Sequence, residues 1–330
     1  MRKSLFASRP CSKLGFAVGV AVVIFLSLQP SIAESISQQK KAVVFIFGTI
    51  HPLNPDKTAM RAADGSRLAV EAPLGTGFFV DYRDENSGKR FSYLVTAQHV
   101  LRDMDGAFLS SVRIRLNLMS PAGGVEFGFI DNIPVSDAQG NLLWLHGEDQ
   151  AADVVALPFL PDERKYEYAA ISTRTFVKDT ALLSESITEG EDVYFIGLMA
   201  QYYGAKRNYP LVRHGRLALL TDEDIDTPTG QQKIFIAALE SWPGNSGSPV
   251  FLLRDGANGR AASDKPMFLG IVVASFQNKV TVPLSGGQPQ RQLQAGDTAN
   301  TGLTCIVPAT VVEEILKSPP AQQERATGIQ

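Results

Sequence analysis

Cysteine is nearly absent from this chain. Its 330 residues hold two, Cys11 and Cys305, too few for a disulfide-dense scaffold or a multi-cysteine zinc site. Histidine is scarce as well. His51, His99, His146 and His214 lie far apart with no His-Glu-x-x-His spacing, so the sequence calls for no metal and no cofactor. Basic charge is not in excess. Thirty-one Lys plus Arg face 34 Asp plus Glu, a net charge of -3, which argues against a chain built to hold nucleic acid. There is no internal repeat, and a single long apolar run excludes a multi-pass membrane protein. What is present, 44% hydrophobic and 20% charged residues, is the composition of a folded chain rather than a disordered one.

The apolar run lies at the start. Arg2, Lys3, Arg9 and Lys13 form a basic opening, Leu14 to Leu28 is apolar over 15 residues, and Ser31-Ile32-Ala33 places small residues behind Pro30. This pattern reads as a secretory signal over residues 1–33, with a mature chain beginning near Glu34 that is periplasmic or secreted. The other reading is a retained membrane anchor, although the run is short against the ~20 residues of a bilayer span. Removing the leader's four basic residues leaves 27 against 34, a net charge of -7, and removes Cys11, so Cys305 has no intrachain partner.

The remainder reads as short strands. Ala42 to Phe47, Phe78 to Tyr82, Tyr93 to Ala97, Val154 to Leu157, Val193 to Ile196, Ile234 to Leu239, Val250 to Leu253, Phe268 to Val273 and Thr304 to Val307 are apolar pieces separated by Gly, Pro, Asp and Asn. Val112, Ile114, Leu116 and Leu118 alternate with Arg113, Arg115 and Asn117, the period of a half-buried strand. One helix is predicted after Pro308, with Val311, Val312, Ile315 and Leu316 on one face. Many strands and one terminal helix point to an all-β sandwich or barrel pair. Asp84 to Arg90, Arg254 to Lys265 and Gln277 to Asn300 read as loops, and residues 321–330 as a polar tail.

Three motifs carry chemistry. Thr96-Ala97-Gln98-His99-Val100 ends a strand in a His. Ala152-Asp153-Val154-Val155-Ala156-Leu157 opens a strand with an Asp. Gly244-Asn245-Ser246-Gly247-Ser248-Pro249 brackets a Ser with glycines on a tight turn. A Ser hydroxyl needs a base in contact to act as nucleophile. A His serves when a carboxylate fixes its tautomer and stabilises the imidazolium. A developing oxyanion needs fixed N–H donors, and here these are the amides of Gly244 and Ser246. Asp149 is a rival to Asp153 as the acid, though it lacks the apolar strand behind it. The order His99, Asp153, Ser246 is that of chymotrypsin-type enzymes. No His follows Ser246, as an α/β-hydrolase requires.

These motifs resemble those of the trypsin-like serine peptidases, and more closely the bacterial HtrA-type protease domains and glutamyl endopeptidases. Gly75-Thr76-Gly77-Phe78-Phe79-Val80, Gly270-Ile271-Val272-Val273 and Thr304-Cys305-Ile306-Val307-Pro308 match supporting segments in order, so the resemblance covers roughly residues 40 to 317. It implies a peptidase domain over 34–320 built of two six-stranded antiparallel β-barrels with a short C-terminal helix. It also implies polypeptide substrates cut through a His99–Asp153–Ser246 triad and an acyl-enzyme. Ser248 stands where the common motif has a second glycine. Asn245 stands where zymogen-activated members carry Asp, so activation through a new N-terminal amine is not expected. No PDZ domain is expected after the peptidase domain, and with it no HtrA-like peptide sensing.

Specificity is less fixed. Glu240, six residues before Ser246, is either the base of the primary pocket, selecting Arg or Lys, or a surface carboxylate displaced by an insertion. Ala274 and Ser275 are expected in one pocket wall, and the absence of a His on that strand disfavours cleavage after Glu. Two other functions stay open: a catalytically silent homologue acting as an envelope binding or scaffold module, and a hydrolase of non-peptide esters.

Overall fold

The computed structural model describes residues 32–84, 87–119, 126–147, 152–183, 187–227, 230–253, 266–279 and 298–327. The leader expected over 1–33 lies outside them except for its last two residues. Asp149 and the loop expected over 254–265 also lie outside.

The first half forms one sheet of nine strands. Five are substantial: β1 (Val43–Ile50), β2 (Val70–Arg83), β3 (Arg90–Thr96), β4 (Ser111–Leu118) and β5 (Phe127–Pro134). β6 (Leu145–His146), β7 (Val155–Pro158), β8 (Tyr166–Glu167) and β9 (Ile171–Ser172) are short. The hydrogen-bonded order is β5-β4-β1-β2-β3-β7-β6, with β8 on β4 and β9 on β2. Between the two ends of this path the seam is drawn together by irregular backbone. Leu143 N–H donates to Val135 O at 2.8 Å, and the buried Trp144 indole N–H donates to Pro134 O at 2.8 Å.

The second half is a closed six-stranded barrel. Its strands are β10 (Asp192–Gly197), β11 (Leu211–Leu219), β14 (Phe235–Ala238), β15 (Pro249–Leu252), β16 (Met267–Lys279) and β17 (Thr298–Pro308), closed in the order β10-β11-β14-β17-β16-β15. Between β11 and β14 a ribbon of β12 (Asp224–Thr227) and β13 (Gly230–Lys233) stands outside both sheets. β16 and β17 extend to Lys279 and from Thr298, which narrows the loop expected over 277–300. The mostly-β, chymotrypsin-like fold expected from the sequence is therefore present.

Helices close the ends. α1 (Ile32–Lys40) is held to the second barrel by Gln39, whose Oε1 accepts from Tyr194 OH at 2.6 Å. α2 (Asp179–Leu183) is a single short turn, and α3 (Ala309–Lys317) is the predicted terminal helix, burying Val312, Ile315 and Leu316. The polar tail expected after it is instead a helix, α4 (Pro319–Thr327). It is held by the buried Ala321 and by one long side chain. Arg325 Nη1 donates to Tyr93 OH at 2.9 Å and to Leu316 O at 2.7 Å, while the guanidinium lies 4.5 Å from the Tyr82 ring centre.

One strand departs from its pattern. Arg115 alternates with apolar residues on β4 and was expected to face water, but it is 1% exposed. The segment around Tyr203 covers it. Arg115 Nη2 donates to Gly204 O at 2.6 Å, and the guanidinium lies 3.7 Å from the Phe127 ring centre. Burial, with no carboxylate partner among the described residues, holds its pKa below the ordinary arginine value.

Candidate active site

Strand pairing brings His99 and Asp153 together. Thr96 at the end of β3 is registered against Val155 at the start of β7. His99 follows Thr96 by three residues and Asp153 precedes Val155 by two, so both fall at the same end of the sheet. His99 sits in a short 3-10 turn, Gln98–Leu101. Its backbone N–H donates to Asp153 Oδ1 at 2.9 Å, and its Nδ1 lies 2.5 Å from Asp153 Oδ2. The two-point contact fixes the ring against the carboxylate. Asp153 is 5% exposed, so water competes little for that carboxylate, whereas His99 is half-exposed and its other nitrogen is free to face a substrate.

Ser246 lies on the turn leading into β15. Gly247 N–H donates to Val272 O at 2.7 Å, and Ser246 O accepts from Thr76 N–H at 2.9 Å, so the turn is tied to both sheets. The glycines here are required. Gly244 and Gly247 have φ of 97° and 84°, and a Cβ on Gly247 would sit 2.0 Å from Thr76 O.

The turn's N–H groups divide cleanly. Trp242 N–H donates to Asn245 Oδ1 at 2.7 Å, Asn245 N–H to Trp242 O at 2.9 Å, and Ser248 N–H to Asn245 O at 3.0 Å. Gly247 N–H is used as above, and Pro243 has none. Among the described residues, the amides of Gly244 and Ser246 donate to no protein acceptor. These are the two donors the sequence singled out for an oxyanion. Asn245 fixes the turn with its side chain, Nδ2 donating to Leu198 O at 2.6 Å. Ser248 fits because residue 197 is glycine: a Cβ there would lie 1.9 Å from Ser248 Oγ.

Thr76 lies in the segment 75–80, whose sequence gives it no chemical role. It is fully buried, and its Oγ1 accepts from Leu198 N–H at 2.8 Å and donates to Gly244 O at 2.8 Å. One hydroxyl of the first sheet thus fixes two segments of the second barrel. Gln232 was likewise missed: its Oε1 accepts from Asp153 N–H at 3.2 Å. No local pattern marks either residue, because each acts on a partner distant in sequence.

The specificity residues fall differently. Glu240 is not a pocket base. Its side chain is 59% exposed and pairs with Arg213 at 2.9 Å. The inward side chain is its neighbour Ser241, buried with its Oγ 2.9 Å from Thr304 Oγ1, because successive residues of an extended segment face opposite ways. Ala274 and Ser275 lie half-buried on β16, registered against Cys305 and Thr304. Past Val272, which still exchanges hydrogen bonds with Gly247 and Ser248, β16 has no further pairing on its β15 side among the described residues, leaving an edge from Val273 onward near Ser246.

Elsewhere, His146 Nδ1 lies 2.9 Å from Gly147 O, and His214 is exposed on β11 against the Tyr194 ring. His51 Nδ1 lies 2.7 Å from Asp103 Oδ2. Burial pushes the Cys305 thiol up to about 12, the value of an unreactive sulfur. Among the described residues no group of three or more His, Cys, Asp or Glu is placed to hold a metal, and no helix is long and apolar enough to cross a membrane.

Solved structures similar to the chain include the HtrA-type protease AlgW with a decapeptide, at 15% identity and a TM-score of 0.47, covering 87% of this chain and 67% of that one. Another is the apo protease domain of MamO from Magnetospirillum magneticum, at 14% identity and a TM-score of 0.43, covering 86% of this chain and 100% of that one. No curated protein matches the sequence. The family model described as a trypsin-like peptidase domain matches residues 75–257, a span that contains His99, Asp153 and Ser246. With more than half of its length matched in this way, the chain belongs to the trypsin-like peptidase family.

Proposed function

We propose that the chain is an exported serine endopeptidase. His99 acts as general base and then general acid, Asp153 holds its tautomer, and Ser246 is the nucleophile. Ser246 Oγ attacks the scissile carbonyl as its proton passes to His99 Nε2. The oxyanion forms between the Gly244 and Ser246 amides. The imidazolium then protonates the leaving amine, and water hydrolyses the acyl-enzyme by the same route. An extended substrate adds to the open edge of β16, which aligns its carbonyl with Ser246. Export rests on the basic and apolar leader. The observation that carries the reading is the pair of unclaimed amides flanking Ser246 beside the His99–Asp153 contact.

One observation favours the silent binding module. Among the described residues, Ser246 Oγ makes no hydrogen bond to His99. Such contacts are often long before substrate binds.

Labelling with a fluorophosphonate decides between the two readings. Wild type is expected to label and Ser246→Ala not to. Well-folded wild type that resists labelling refutes the enzyme and leaves the binding module. Asp153→Asn is expected to keep the fold and cut turnover by roughly four decades, as in the chymotrypsin-type precedent. Near-normal turnover in that variant would transfer the role to another acid.

A further inference from the structure

The triad acid is held from behind by a residue of the other half of the molecule. Both carboxylate oxygens of Asp153 are committed to His99. Its backbone is fixed separately. Asp153 O accepts from Gln98 N–H at 3.3 Å, next to His99, and Asp153 N–H donates to Gln232 Oε1 at 3.2 Å. Asp153 occupies a tight bend in which Val154 N–H donates back to Ala152 O at 2.8 Å, so that amide has no ladder partner of its own.

Gln232 is suited to hold it. It is 4% exposed, and its Nε2 donates to Thr227 Oγ1 at 2.9 Å. The side-chain amide therefore spans from Thr227 on β12 to Asp153, with its orientation set at both ends. β12 and β13 pair only with each other, so Gln232 is the point at which this ribbon meets the triad.

The geometry points to Gln232 as a positioning residue for Asp153, through which the β12–β13 ribbon sets the basicity of His99. This rests on the reading of His99 and Asp153 as base and acid. A carboxylate displaced from Nδ1 stabilises the imidazolium less, so loss of Gln232 lowers the basicity of His99 and the rate together. The contact to substrate is untouched, so KM is spared.

The test is Gln232→Met, which keeps the length and removes the acceptor. Expected are a fall of about tenfold in kcat, KM within about twofold, and an acidic limb of kcat/KM displaced to lower pH. The far-downfield proton of the His99 Nδ1–H···Asp153 bond, read by NMR in the resting protein, is expected to move or broaden. Gln232→Glu keeps an acceptor and is expected to recover kcat to within about threefold, with the limb displaced to higher pH by the added charge. Thr227→Val, on the ribbon outside both sheets, is expected to shift rate and resonance in the Met variant's direction by less, and carries the test if Gln232→Met does not fold.

Turnover, pH limb and resonance at wild-type values in Gln232→Met overturn the inference, as do wild-type values in Thr227→Val where the Met variant fails to fold. A wild type that lacks both turnover and the downfield resonance fails at the triad itself, and the inference falls with it. A wild type that has both, matched by the variants, removes only the role of Gln232.

Discussion

Replacing Thr76 by Val tests how the nucleophile turn is held. The two side chains have nearly the same shape, so the change removes chemistry more than volume. Two hydrogen bonds go: the one from Leu198 N–H at 2.8 Å and the one to Gly244 O at 2.8 Å. Thr76 and Leu198 are fully buried and Gly244 is buried, so water does not replace the lost oxygen. A buried donor and a buried acceptor left unpaired cost about 1–3 kcal/mol each, about 2–6 kcal/mol together if nothing relaxes. The cheapest relaxation is a shift of the turn, since Gly244 is a glycine held at positive φ. That shift moves an oxyanion donor. Loss of one such donor costs on the order of 10²–10³ in kcat in the subtilisin precedent. Thr76 N–H still donates to Ser246 O, which limits the movement.

The expectation for Thr76→Val is therefore a fall of roughly 10- to 1,000-fold in kcat and in fluorophosphonate labelling rate. KM should change little, because Thr76 is buried. Thr76→Ser keeps the hydroxyl and should stay within about tenfold of wild type, with the missing methyl as its only loss. Urea unfolding separates the two ways of responding. A turn that shifts retains stability and loses rate; a turn that stays loses stability and retains rate. A Thr76→Val protein with both the labelling rate and the unfolding midpoint of wild type refutes the reasoning.

Three further outcomes follow from the same geometry. Asn245→Asp replaces the Nδ2 that donates to Leu198 O with an acceptor, so two oxygens oppose each other in a buried site. A loss of about 1–3 kcal/mol in urea unfolding and a lower labelling rate are expected, and an unchanged midpoint would contradict that account. Ser248→Ala removes a buried hydroxyl that has no hydrogen-bond partner among the described residues. Stability should hold or rise by about 1 kcal/mol, and a clear loss would show that the hydroxyl has a partner in solution. Glu313 gives a pH dependence. Burial pushes its carboxyl up, but hydrogen bonds from Lys178 and Lys317 outweigh burial and hold it below the ordinary range. A folded pKa below the unfolded value means the stabilisation is complete above the usual carboxylate pKa of about 4.3 and is lost as pH falls through the folded value. Both lysines are largely solvated, so about 0.5–1 kcal/mol is at stake. Thermal unfolding of wild type and Glu313→Gln should differ at pH 6 and converge as pH falls below the folded pKa; a constant gap down to acid unfolding would rule out this linkage.

The three motif residues were legible because each signal is local: a strand ending in His, a strand opening on Asp, a Ser between glycines. The second barrel was legible from its apolar runs. Arg115 was misread because alternation reports which residues share a face, not what covers the opposite face; residues 203–204 cover it. Glu240 and Ser241 differ by one position along an extended segment, and that phase decides which side chain points inward. The sequence alone does not set it, since it depends on where Thr304 of β17 comes to lie. α4 was read as tail because it has almost no apolar residues. Beyond one buried alanine, Ala321, its hold comes from the arms of one arginine across Tyr82 and Tyr93, which no apolar periodicity records.

Thr76 and Gln232 show a further limit, and their arrangement has a physical logic. Thr76 lies 168 residues from the carbonyl it holds, and Gln232 lies 79 from its amide partner. Each comes from one half of the chain and grips the other. Thr76 of the first sheet fixes the turn that carries Ser246. Gln232 of the ribbon between β11 and β14 fixes the bend that carries Asp153. Either half alone would lose one tie: the first sheet would hold the Asp153 bend without Gln232, and the second barrel would hold the Ser246 turn without Thr76. A displacement of the two halves relative to each other strains the acid and the nucleophile together. If His99, Asp153 and Ser246 act as proposed, activity is a property of the docked pair and is expected to fail as one cooperative event when the halves separate.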